Sequence, residues 1–120
     1  GGLCCNCARA SARLAAVLVE QDDPTLLDEA QKRLNQATRQ EPDNSTAWRL
    51  LSVAYGREGD EGMAAYAMAE QSLLENRLTD ANFLAGKAER LLPKTGSVWL
   101  RIQDIKEQTS QAQDDRKRKR

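Results

Sequence analysis

Apolar residues recur along this chain at helical spacing. Ala81, Leu84, Ala85, Ala88, Leu91 and Leu92 form the clearest stripe, each three or four residues from the next same-face neighbour. Leu26, Leu27, Ala30, Leu34 and Ala37 make a second, and Trp48, Leu51 and Tyr55 share one face of a third segment. Ala64, Ala67, Met68 and Leu74 lie close to one face of a fourth. Val98, Trp99, Ile102 and Ile105 define a short last helix, and Leu14, Val17 and Leu18 hint at a first. No segment alternates apolar and polar residues over strand length, so the pattern predicts an all-α chain.

Polar punctuation brackets these stripes. Asp23 before Pro24 reads as an N-cap followed by a first-turn proline. Asp43, Asn44 and Ser45 offer caps ahead of Trp48, Gly56 and Gly59 close that helix, and Asp60 opens the next. Thr79-Asp80 caps the stripe that Pro93 terminates, and Thr95-Gly96-Ser97 opens the last helix. The expectation is about six helices, at 10–21, 24–40, 45–57, 60–75, 79–92 and 97–107, with short linkers that make neighbours antiparallel. Residues 1–9 read as a flexible cysteine-containing end. From Gln108 the chain turns polar and basic, and 108–120 is expected to be disordered.

An internal echo constrains the architecture. Ala30, Leu34, Ala37 and Pro42 are separated by 4, 3 and 5 residues, and so are Ala81, Ala85, Ala88 and Pro93, 51 residues further on. Small residues at those steps let helix backbones approach closely, and each proline stops its helix. Between the two frames stands Trp48-x-x-Leu51-Ser52-x-x-Tyr55. These residues resemble the tetratricopeptide repeat, a helix–turn–helix unit of about 34 residues with W-x₂-L-G-x₂-Y in its first helix and A-x₃-F, Ala and Pro in its second. Ser52 replaces the preferred glycine, Leu34 and Ala85 replace the aromatic, and the half-integral offset departs from simple tandem repeats. The resemblance spans about residues 11–107 and implies an α-solenoid in which helix 97–107 is a C-terminal cap, with Trp99 inward and Arg101 and Asp104 outward.

A narrower likeness lies in the wording of the second half. Ala47-Trp48-Arg49-Leu50-Leu51, Gly59-Asp60-Glu61-Gly62-Met63-Ala64, Ala88-Glu89-Arg90-Leu91-Leu92-Pro93 and Trp99-Leu100-Arg101-Ile102 resemble the C-terminal repeat region of bacterial zinc metalloproteases of peptidase family M forty-eight. In that family a periplasmic or membrane-associated protease domain carries H-E-x-x-H, and the repeat region holds partners or substrates. The resemblance implies a non-catalytic piece of such a protease, with zinc only in an upstream domain.

Composition narrows the chemistry. The 120 residues fit one domain, and 18 Lys+Arg balance 18 Asp+Glu. Five of those bases form the run Arg116–Arg120, leaving 13 bases against 18 acids in residues 1–115, a net of −5. That sign argues against a nucleic-acid-binding body. The basic run follows Asp114-Asp115 with no aromatic nearby and reads as a solvated terminus. There is no histidine, which removes imidazole metal sites, histidine triads and a histidine base. No apolar run is long enough to span a membrane, Leu14–Val19 is too short for a signal core, and the chain is expected to be soluble. With Gly1 first and methionines only at 63 and 68, it reads as a processed chain or a fragment.

Cys4-Cys5-x-Cys7 invites a metal or redox reading, but three thiols without a fourth ligand fall short of a structural zinc site. In an oxidising compartment they could crosslink two chains. Gly56-x-x-Gly59-x-x-Gly62 lacks the strand and Lys-Ser/Thr of a phosphate loop and reads as a turn. Asp22, Asp23, Asp60 and Glu61 read as helix-start charges. What stands is binding: a protein or extended peptide on a concave helical surface, with Arg49, Arg57, Tyr66 and Glu70 as candidate contacts because they escape the Trp48 and Met68 stripes. The alternatives are a free-standing adaptor and a small cysteine-based metal or redox module.

Overall fold

The structure, a computed structural model, describes residues 24–118. The helix expected at 10–21, the cysteine cluster and Asp22-Asp23 lie outside the described residues. Within them the chain forms five helices: α1 (Pro24–Gln40), α2 (Ser45–Arg57), α3 (Glu61–Leu74), α4 (Leu78–Leu91) and α5 (Gly96–Arg118). No strand occurs among the described residues. The all-α reading holds.

The helix ends follow local chemistry. Asn44 is the cap of α2, its side chain accepting from the Ala47 amide at 3.2 Å. Asp60 does the same for α3 through Met63. Between them Gly59 takes φ +82°, a left-handed turn that suits glycine and lets the Asp60 amide reach back to the Tyr55 carbonyl at 2.9 Å. The α3–α4 turn departs from the expected Thr79-Asp80 cap. Asn76 adopts φ 60°, the Arg77 amide bonds the Ser72 carbonyl at 2.8 Å, and α4 begins at Leu78 with no side-chain cap. The left-handed turn delivers the chain into the helix early, so Thr79 and Asp80 fall inside its first turn.

Successive helices pack antiparallel. In the α1–α2 hairpin Gln31 donates to Glu58 at 2.9 Å and Asn35 to the Tyr55 hydroxyl at 3.3 Å, later residues of one helix meeting earlier ones of the other. In α4–α5 Glu89 accepts from Gln103, Asn82 donates to Thr109 at 2.8 Å, and Gln113 donates to Thr79 at 3.2 Å. Each helix packs on the next in sequence, and α3 also touches α5.

Alanine makes this packing close. Ala30, Ala81 and Ala88 are 0 % exposed and Ala37 1 %, with Leu34, Leu51, Ala85, Ile102 and Ile105 buried beside them. Small side chains leave little between the helix axes, so shape rather than bulk sets the interface. Gly62 is the most closely approached of the described glycines. A Cβ there would stand 2.8 Å from Leu92 Cδ2 and 3.2 Å from Leu91 Cβ, which locks the start of α3 against the end of α4. The Gly56–Gly59–Gly62 series is thus a turn and a close approach.

The C-terminal segment corrects the expectation of disorder from residue 108. Helix α5 continues to Arg118 because Thr109, fully buried, accepts from Asn82 while its hydroxyl bonds the Ile105 carbonyl at 2.8 Å. Gln113 adds the contact to Thr79. Arg116, Lys117 and Arg118 fall in the last turn, where positive charge complements the helix dipole. Polar residues carry this docking, so no apolar stripe announced it.

Candidate partner-binding surface

The four candidate contact residues divide into two pairs. Arg49 and Arg57 are exposed on α2. Tyr66 and Glu70 are not surface residues, contrary to the sequence reading. Tyr66 is buried against Trp48 in an edge-to-face pair with centroids 5.7 Å apart, and its hydroxyl donates to Glu70 Oε2 at 3.0 Å. Glu70 is 7 % exposed and receives Arg101 from α5, with Nη2 on Oε1 at 2.9 Å and Nε on Oε2 at 3.0 Å. Arg101, expected to point outward, therefore folds back across α3 while its Nη1 holds Asp104 at 2.7 Å.

This network has electrostatic consequences. Burial, then the charge and hydrogen bond of Glu70, push the Tyr66 hydroxyl above its ordinary pKa. The hydrogen bond and charge of Glu70 raise the Arg101 guanidinium, against the effect of burial. Tyr55 is likewise raised, mainly by burial. A second pairing, Lys106 with Glu89 at 3.1 Å, joins α4 to α5, and hydrogen bonds from Gln103 and Lys106 lower the Glu89 carboxyl. These groups fasten helices together; their partners are already within the fold.

The two tryptophans sit at the same step from a proline yet differ. Trp48 is buried and its Nε1 donates to the Pro42 carbonyl at 2.9 Å. Trp99 turns inward, its Nε1 buried and without a hydrogen-bond partner among the described residues.

Several apolar residues assigned to core stripes face outward. Met68 is 42 % exposed and Leu91 51 %, and Leu74 is exposed as well. Helix α3 is so rich in alanine that its faces differ little in hydropathy, and the buried face turned out to include Tyr66 and Glu70 rather than Met68. Phe83, outside the Ala81–Ala85–Ala88 stripe, is 68 % exposed. It joins Met68, Gln71, Ser72, Arg77, Asp80 and Leu84 around a cleft of about 220 Å³ between α3 and α4. Nothing in the hydrophobic pattern marks this cleft except a phenylalanine off the apolar stripe.

Among the described residues no group of three or more His, Cys, Asp or Glu is placed to hold a metal ion, and no helix is long and apolar enough to cross a membrane. Comparison with protein-family models, with curated proteins and with solved structures gives no match.

Proposed function

We propose that this chain is a tetratricopeptide-like helical stack that binds other polypeptides, serving as the partner- or substrate-holding C-terminal part of a periplasmic zinc metalloprotease. One observation carries the binding reading: bulky apolar side chains stand outside an interior that is already closed. The alanine-lined contacts are shielded from solvent, whereas Phe83, Leu100 at 64 % and Leu91 remain open. Phe83 shares one cleft with the exposed Met68 and the half-buried Leu84, and an apolar patch on a folded surface marks an interaction site. Arg49 and Arg57 on α2 supply polar contacts for the same role; Tyr66 and Glu70 serve the interior.

The protease parentage rests on the resemblance of residues 43–105 and assigns no chemistry to them. Zinc and its general base would belong to an upstream domain carrying H-E-x-x-H. The encoding gene tests this: an upstream H-E-x-x-H and an export signal are expected, and their absence leaves a free-standing adaptor. Binding is tested by selection from a random-sequence peptide library displayed on phage. A recurrent family of enriched peptides is expected, and a selection that enriches nothing sinks the binding reading.

A further inference from the structure

The α3–α4 cleft has a chemistry of its own. At about 220 Å³ it is smaller than the roughly 300–1,000 Å³ typical of cofactor sites, and it would hold about seven waters at ~30 Å³ each. That is the scale of one long side chain. Met68, Phe83 and Leu84 give it apolar walls, with Phe83 and Met68 accessible from outside.

Its polar groups are unequally engaged. Arg77 is paired to Glu75 at 2.9 Å, and Gln71 donates to the same carboxylate at 2.9 Å. Ser72 is only 3 % exposed, yet its hydroxyl makes no hydrogen bond among the described residues, unlike those of Ser52, Thr38 and Thr109, which bond backbone carbonyls. The exposed Asp80 carboxylate has no ion pair among the described residues. The unengaged groups are therefore one carboxylate and one nearly buried hydroxyl, set beside an aromatic ring.

We propose that this cleft is a subsite for a lysine or arginine side chain of a bound partner polypeptide. The apolar walls take the hydrocarbon stem, the Phe83 ring attracts the cation, and Asp80 and Ser72 accept its hydrogen bonds. Arg77, the one cation among the lining residues, is already paired with Glu75, so the Asp80 carboxylate leaves the cleft open to a positive charge. This assignment rests on the polypeptide-binding reading and adds the chemical class of the side chain recognised.

The test titrates the isotope-labelled chain with a capped nonapeptide bearing one central lysine flanked by leucines, following backbone amides by NMR. Shifts at Ser72, Asp80 and Phe83 are expected. Replacing the peptide's lysine by norleucine weakens binding about three- to fivefold, as does Asp80→Asn in the protein, while Asp43→Asn changes nothing. Phe83→Ala gives an independent loss of similar size. Shifts that map elsewhere, or equal affinity for wild type and both cleft variants, overturn the subsite. If the phage selection still enriches peptides whose binding ignores Asp80→Asn, only the subsite falls; if it enriches none, the broader reading falls too. Self-association abolished by Asp80→Asn would assign the cleft to a second copy's basic end and overturn the partner assignment.

Discussion

Arg101 of α5 grips both carboxylate oxygens of Glu70 in α3, at 2.9 and 3.0 Å, across a helix lying between them in sequence. The two residues are on elements that otherwise touch lightly, so the pair joins α3 directly to α5. Its partners are unequal: the Glu70 side chain is 9 % exposed and that of Arg101 36 %.

That asymmetry sets the first expectation. Arg101→Met removes the charge and strands a nearly buried carboxylate, costing about 2–3 kcal/mol of stability. Glu70→Gln keeps an acceptor for Tyr66 and leaves Arg101 with Asp104, costing about 1 kcal/mol. Urea unfolding of both variants reads the order, and an equal or reversed order contradicts it.

Two glycines make opposite predictions. Gly62→Ala drives a methyl group into Leu92 and destabilises by about 1–2 kcal/mol despite the better helix propensity of alanine. Gly56 lies in α2 with nothing near its missing Cβ, and Gly56→Ala stabilises by about 0.5–1 kcal/mol. Thermal melts of the two single variants should move in opposite directions.

The length of α5 is open to direct measurement. Thr109→Val preserves shape but removes the oxygen that Asn82 bonds, which costs about 1 kcal/mol. Ending the chain after Gln108 should lower both far-UV helicity and the urea midpoint. A midpoint unchanged by that truncation would return residues 109–118 to the status of an idle tail.

Alkaline pH should weaken the fold through Tyr66. Its pKa is raised in the folded chain, so the unfolded chain loses the phenolic proton first, at about pH 10. Above that pH the unfolded state binds fewer protons than the native state, and stability falls as pH rises. The contribution is complete below about pH 10 and is lost through the higher folded pKa. Tyr66→Phe should flatten the decline between about pH 10 and 11, leaving the smaller share that Tyr55 supplies.

Legibility followed periodicity. Ala30, Ala37, Ala81 and Ala88 recur at helical spacing, and all four are shielded. Helices α1 and α2 begin and end at the expected residues. Tyr66 and Glu70 depart from the surface expected of them because a carboxylate is ordinarily a surface group, and its burial here depends on the Tyr66 hydroxyl and on an arginine 31 residues away. Asn82 and Thr109 carry the same lesson for α5, since polar side chains that bond one another leave no apolar periodicity. The cleft leaves little mark in the sequence because Met68 and Ser72 of α3 approach Asp80 and Phe83 of α4 only once the two helices lie side by side.

Helix α3 rests against α2, α4 and α5, whereas α1 among the described helices rests on α2 alone. A rod clasped on three flanks cannot be freed without parting the others. Its amide protons should be the last to trade with deuterated solvent, and those of α1 among the first. The molecule thus possesses a rigid middle and a yielding edge, and a partner seated beside Phe83 would press upon the rigid part.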